Sequence, residues 1–372
     1  MHYWDFPYPR KVFNMAKHQA PERHAVRDRA AVLTVALAMI GLTLFVVAMI
    51  ASYSGAFAKP TLHHMAVAVA APEPVVDGLR GQDSLAVTAV GDAAAARQQV
   101  YERKTDAAFV VAPDGQLKIY VAGGGGHSVA SAAETVGRTV AAKAGLTPSV
   151  EDVAPASAGD PSGTVEFYAI IFISIGASVG AAVLGRIMGT VRKPVTLALR
   201  TMTLAGYSAL LAAGVTLYVD TILGALTGHT WQVFGALWLY AMAVGGAVTG
   251  VAAAFGTVAS MALTLFLVAV GNAAAAGPVG RPLLSGFYSA FTAIVPQGSG
   301  VSLLRSVMYF GGNGALTPLV TLAIWGAAGC LFAVLATASR VNYGQPKPTR
   351  SSQKSIRSAS PVTSSPVTGL RR

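Results

Sequence analysis

The residues that could do covalent chemistry are few in this sequence and poorly placed for it. Ser128 stands in Gly126-His127-Ser128-Val129-Ala130, one residue short of the G-x-S-x-G elbow that presents a nucleophilic hydroxyl, and no strand leads into it as that geometry requires. A helix cap is the better reading of Ser128. Gly123 to Gly126 precede a helix, as a phosphate cradle would, but no Lys follows them and the dipeptide Gly-Lys occurs nowhere in the chain. A P-loop is therefore excluded, and a flexible glycine loop is expected. His63 and His64 are adjacent, so on a strand they point to opposite faces. His127 is the only other histidine of that region, and no set of three ligands converges on a zinc ion. Cys330, the single cysteine, forms neither an intrachain disulfide nor a Cys-rich metal site and reads as a small apolar packing residue. Glu166 and Asp220 fall at the ends of apolar segments, within reach of water, so the buried carboxylate of a proton-coupled carrier is missing. No catalytic, cofactor-binding or metal-binding residue is expected in the chain.

What the sequence offers instead is apolar length. Of 372 residues, 53% are hydrophobic and only 12% are charged, with a mean hydropathy of +0.55. A soluble domain carries about 25% charged residues, so much of this surface faces lipid rather than water. Residues 31–51 contain no charge and extend about 30 Å as a helix, the thickness of a bilayer core. The run exceeds the apolar part of a signal peptide and no A-x-A site follows closely, so it reads as a first transmembrane helix and not as a cleaved leader. Apolar segments at 167–185, 201–219, 232–250, 253–271 and 316–338 bring the expected total to six. The stretch from 232 to 271 is twice too long for one span and reads as a helical hairpin turning at 250–257.

Basic residues alternate along the chain. Six lie before the first span, four lie between 186 and 200 (Arg186, Arg192, Lys193, Arg200), and seven follow residue 338, together 17 of the 27. The region 52–164 carries 8 basic against 11 acidic residues, the loop 220–231 carries no basic residue, and 272–315 carries only Arg281 and Arg305. The positive-inside rule places both ends in the cytoplasm. The net charge of +11 thus reflects membrane topology. Without a basic stripe interleaved with aromatics, nucleic acid is not an expected partner.

The expected fold class is an α-helical polytopic membrane protein with six transmembrane helices and a small α+β extracytoplasmic domain between the first and second. The boundaries are a cytoplasmic N-terminal segment at 1–30, the first transmembrane helix at 31–51, the extracytoplasmic domain at 52–164, five further helices over 165–340 and a disordered cytoplasmic tail at 341–372. Aromatics Tyr3, Trp4, Phe6, Tyr8 and Phe13 among basic residues suit either an interfacial helix or a solvated leader. In the outer domain, Leu85–Val90 reads as a strand, Asp92 as the cap of a helix running to about Lys104, and Ala107–Val111 as a second strand. A turn at Pro113, Asp114 and Gly115 leads into a return strand Leu117–Val121, and Ser128–Ala144 reads as a helix. The pairs Gly176/Gly180, Gly185/Gly189 and Gly246/Gly250 let helices approach closely, within the chain or between copies. A re-entrant segment is expected near 278–312, because Pro278, Pro282 and Pro296 interrupt an apolar run and irregular backbone at membrane depth needs a protein or water cover. Arg305 within it either lines a polar vestibule or snorkels to headgroups, and the nearby interface favours snorkelling.

A set of short motifs carries a family resemblance. Gly271-Asn272 closes the fifth span, followed by Pro282, Phe287, the run Leu284–Gly300 with Val295-Pro296, Leu303-Leu304-Arg305 and Tyr309-Phe310-Gly311-Gly312. This order resembles the C-terminal half of type-2 ABC transporter permeases, closest to the phage-infection-protein-like branch of bacterial membrane proteins. Ala158-Gly159-Asp160-Pro161 before Phe167-Tyr168 looks like the approach to the second span in actinobacterial members. The resemblance covers roughly 158–338 and the order of one span, an outer domain and five spans. It implies a permease domain over 165–340 and a permease subunit, in the bacterial inner membrane, of an exporter that moves an amphiphilic or lipid-like substrate outward. A separate ATP-binding cassette subunit would supply the energy, so ATP would bind the partner and not this chain. It also implies a homodimer or a heterodimer with a second permease, and docking of the ATPase on the loop that here carries Arg186, Arg192, Lys193 and Arg200. The outer re-entrant segment would be marked by Pro282, Pro296 and Arg305. Taken as residues alone, the four basic positions need only set topology beside inner-leaflet lipid. A non-transport membrane protein whose outer domain binds envelope components or a partner protein is the alternative. A membrane-embedded hydrolase lacks convergent nucleophile, base and oxyanion donors.

Overall fold

The computed structural model describes residues 20–189 and 193–343. The aromatic N-terminal segment, Arg192 and the tail from Gly344 lie outside the described residues. Two compact units are present, Met1–Lys59 and Pro60–Arg372. The first holds helix α1, Ala20–Phe57, whose part Ala31–Phe57 is long and apolar enough to cross a membrane.

In the second unit, an α+β domain comes first. Its order is β1 (Met65–Ala70), α2 (Glu73–Arg80), β2 (Leu85–Ala89), α3 (Ala93–Tyr101), β3 (Ala107–Val111), β4 (Gln116–Val121), α4 (His127–Ala144) and β5 (Thr147–Asp152). The strands form one sheet in the order β2-β1-β3-β4-β5. β1 runs parallel to both β2 and β3, so each pairing needs a crossover, and α2 and α3 supply them. β3 and β4 form the antiparallel hairpin expected from Pro113-Asp114-Gly115, where the Asp114 carboxylate accepts from the Gln116 N–H at 3.2 Å. Asp92 caps α3 by accepting from the Ala95 N–H at 2.7 Å.

β1, α2 and β5 had no clear sequence signal. β1 is Ala-Val alternation, MAVAVA, buried on both faces, so it lacks the polar-apolar period that marks a half-buried strand. β5 contains Pro148 and pairs with β4 alone, the edge position where a missing N–H is tolerated. His63 and His64 precede β1 and are not strand residues, and the His63 ring shares a hydrogen bond with the Thr61 hydroxyl at 2.7 Å.

The remaining helices follow: α5 (Val165–Met188), α6 (Pro194–Thr216, continued by a wide turn Leu217–Ile222), α7 (Thr230–Phe255), α8 (Thr257–Phe266, continued by a wide turn Leu267–Gly271), α9 (Gly286–Thr292), α10 (Pro296–Tyr309) and α11 (Leu316–Tyr343). With α1, five helices among the described residues are long and apolar enough to span a bilayer: Ala31–Phe57, Val165–Met188, Val195–Ile222, Thr230–Phe255 and Leu316–Arg340. Large apolar side chains stay exposed along them, including Phe172, Met202, Leu210, Ile324 and Leu335, which suits lipid and not water. The architecture is that of a helical, multi-pass membrane protein. The expected span at 253–271 is shorter: Thr257–Gly271 reaches about 22 Å at about 1.5 Å per residue, against about 30 Å of hydrocarbon.

The hairpin turn of 232–271 narrows to Gly256, whose φ of +88° lets α7 end and α8 begin at once. α7 and α11 pack backbone to backbone, where a methyl group at Gly250 would overlap the Gly329 carbonyl. Gly180 accommodates the Tyr207 ring and Gly176 the Leu211 side chain, and the Tyr207 hydroxyl donates to the Gly176 carbonyl at 2.8 Å. These small residues are therefore used within the chain. Cys330 is exposed on α11 and not packed inside.

Candidate functional site

The segment after α8 joins the membrane helices to the α+β domain. Pro282 lies in a tight helical turn, Arg281–Leu283, and Pro296 in the first turn of α10. Both are positions where the absent N–H has no helical partner to lose. Leu283 completes the hydrophobic core on one face of the sheet, with Met65, Phe109, Leu117 and Ile119. Phe310, just past α10, completes the core on the other, with Val100, Val110 and Tyr120. The domain thus takes core residues from well outside 52–164. Further ties are the His63 N–H donating to the Pro282 carbonyl at 2.7 Å and the Gly280 N–H donating to the Ser128 hydroxyl at 3.0 Å. Ser128 therefore does not cap α4, whose cap position is Gly126; its oxygen serves the incoming loop.

Arg305 is the centre of this junction. It is 4% exposed and does not snorkel. Nη1 donates to the carbonyls of Gly125 at 3.0 Å and Ala276 at 3.1 Å, and Nη2 donates to those of Gly163 and Gly277, both at 3.1 Å. One guanidinium thus gathers the glycine turn before α4, the chain entering α5 and the loop after α8. A planar five-donor fork can do this and an ammonium cannot. Glu166 and Asp160 lie near enough to act on it electrostatically. Glu166 is fully buried and not in reach of water as its helix-end position suggested; the Tyr309 hydroxyl donates to it at 2.6 Å. The glycine run exists for close approach: a methyl at Gly124 would overlap the Tyr309 ring, and Asp152 accepts from the Gly123 N–H at 3.1 Å. It is a packed turn and not a flexible loop.

A cavity of about 400 Å³ opens beside Arg305, lined among others by Arg103, Thr105, Asp106, Arg281, Ser299 and Arg305. Arg103 follows α3 with a left-handed φ of 58°. Its guanidinium lies 5.0 Å from the centre of the Phe310 ring and donates to the Ser302 carbonyl at 2.8 Å and to the Ser306 hydroxyl. Burial first, then the like charge of Arg305, pulls its pKa down to about 10, so it remains cationic at neutral pH. Asp106 accepts from the Ala66 N–H at 2.9 Å. Burial pushes its carboxyl up, and the Ala66 N–H, Arg103 and Arg281 act against that shift. Among the described residues every ion pair lies on the α+β domain and none involves these three arginines. Nothing in the sequence singles out Arg103, which stands between the charged residues Glu102 and Lys104.

A second cleft, about 390 Å³, lies between α5, α7 and α8, where Arg186, Arg200 and Arg340 meet small and apolar residues such as Ala181, Val248 and Met261. Of the residues expected on the docking loop, Arg186 and Lys193 are exposed. Arg200 is turned inward, 6% exposed, with Nη1 donating to the Gly189 carbonyl at 3.4 Å. Arg340, which the sequence reading did not single out, donates to the Ala253 carbonyl at 2.5 Å. Deeper in the bundle, Gln297 is fully buried and donates to the Leu267 carbonyl at 2.9 Å and the Ser174 hydroxyl at 3.1 Å. It satisfies a carbonyl in the wide turn that extends α8. Among the described residues no group of three His, Cys, Asp or Glu side chains could hold a metal ion. Comparison with protein families, with curated proteins and with solved structures finds no match for this chain.

Proposed function

We propose that this chain is the membrane-spanning subunit of an ABC-type exporter, moving an amphiphilic or lipid-like substrate outward with a separate ATPase subunit as its motor. The supporting observation is the cleft between α5, α7 and α8, with apolar walls and the guanidinium groups of Arg186, Arg200 and Arg340, a combination suited to a molecule with an apolar body and an anionic head. In this reading the short helix Thr257–Gly271 is the fifth of six spans and the chain works as a dimer in a bacterial inner membrane. The α5–α6 loop, with Arg186 and Lys193 exposed, faces the cytoplasm and meets the ATPase. The test is gentle extraction from the native membrane followed by mass spectrometry of what comes with the protein. An ATP-binding protein is expected in stoichiometric amount, and reversing the loop with Arg192→Glu and Lys193→Glu is expected to reduce its recovery at least tenfold. Recovery without an ATPase, or with one indifferent to the reversal, would contradict the proposal.

The second reading, an outer domain that binds envelope components or a partner protein, draws on the tie between domain and helices. Deleting 65–155 is a poor test of it, because the deletion strips Phe310 and Leu283 of the cores they complete. Recovery of envelope proteins unaffected by the loop reversal would favour it.

A further inference from the structure

The cavity at the junction of the α+β domain and α10 gathers more cationic side chains than anionic ones. Arg103, Arg281 and Arg305 line it against one carboxylate, Asp106. Asp160 and Glu166 ease the burial of Arg305 but do not line the cavity. Two buried donors on its wall have no hydrogen-bond partner, the Nε of Arg305 and the hydroxyl of Thr105. Arg103 and Arg305 repel each other. Like charges brought together away from water are costly unless an anion sits between them. Unpaired buried donors add to that cost.

We propose that this cavity binds a phosphate group. Its walls carry three guanidinium groups against one carboxylate, a balance that favours an anion, and the donors approach from α3's end, α10 and the loop at Arg281. A tetrahedral oxyanion meets donors from several directions, and guanidinium forks match its oxygen pairs. A planar carboxylate offers two oxygens and leaves more of the donors unpaired. About 400 Å³ holds the phosphate with a small substituent. The site is separate from the α5–α7–α8 cleft and does not depend on the exporter reading. The phosphate could belong to a soluble ester or to a phospholipid headgroup, and the experiment distinguishes them.

The experiment uses the full-length protein, freed of lipid in detergent and titrated with inorganic phosphate at pH 7 by calorimetry. In parallel, mass spectrometry of protein extracted with its native lipid counts bound phospholipid. Arg281 is exposed and, among the described residues, donates to the Ser289 carbonyl at 3.3 Å, so Arg281→Gln is expected to leave the fold intact, which its unfolding midpoint in detergent checks. We expect one phosphate per chain, bound about tenfold more weakly in Arg281→Gln, and severalfold more tightly in Asp106→Asn, which removes the repelling carboxylate. Phosphate binding with no retained phospholipid identifies a soluble ester. One anionic phospholipid per chain, lost in Arg281→Gln and blocking phosphate until removed, identifies a headgroup. Absence of both, or binding unchanged in both variants, overturns the proposal.

Discussion

Arg305→Met is expected to cost about 3–5 kcal/mol of stability and to loosen the α+β domain from the helices, because it removes at once the four hydrogen bonds by which one buried guanidinium joins three segments. The four carbonyls that Arg305 serves, at Gly125, Gly163, Ala276 and Gly277, lose the one group that held them together. Glu166 keeps the Tyr309 hydroxyl, and Asp160 keeps the Val165 N–H at 2.7 Å, so the damage concentrates where three segments met on one guanidinium. Arg305→Lys should recover only part of the loss, since three tetrahedral donors on a flexible stem do not span the same carbonyls. Denaturant unfolding in detergent, with limited proteolysis of the 123–126 and 276–280 turns, measures both effects. A snorkelling arginine would show neither, and its lysine variant would behave as the parent.

Gly250→Leu is expected to cost about 3 kcal/mol, at the upper end for overpacking, because the added Cβ meets the backbone of Gly329 and no rotamer change relieves it. Gly246, its partner at four residues' spacing, has open space where its Cβ would stand, so the matched Gly246→Leu should cost far less. The pair therefore separates two roles for the same motif. Close packing of α7 on α11 within one chain predicts an unequal response, read as unfolding midpoint in detergent. A dimer interface built on both glycines predicts equal losses that depend on protein concentration.

Five of the six expected apolar spans were legible because composition decides them: residues 31–51 and 316–338 carry no charge, whereas 253–271 is apolar enough but forms a shorter helix, Thr257–Gly271. In the α+β domain, Asp92 and the Pro113-Asp114-Gly115 turn announced their elements through local chemistry. β1 and β5 were not announced, since one is covered on both faces and the other is a Pro-bearing edge, and both depend on neighbours distant in sequence. The junction was the least legible part. Arg305 was visible as a lone charge in an apolar stretch, yet its partners come from Gly125, Gly163, Ala276 and Gly277, up to 180 residues away. Backbone carbonyls leave no trace in side-chain identity. Arg103 and Asp106 are hidden for a related reason: in a charged surface stretch, nothing local distinguishes the side chain that turns inward. Of the loop expected to dock an ATPase, Arg200 turns into the cleft between α5, α7 and α8, which identity and spacing did not foretell.

The exporter account requires that Lys193 face the compartment that contains ATP and that the α+β domain face the opposite one. The direct measurement is labelling of single cysteines with a membrane-impermeant maleimide in intact cells, in a Cys330→Ser background that removes the only native thiol. Ser149 is exposed on β5 and Lys193 is exposed between α5 and α6. Ser149→Cys should label fully in intact cells, and Lys193→Cys only after lysis. Labelling of Lys193→Cys in intact cells would place the loop outside and contradict the account.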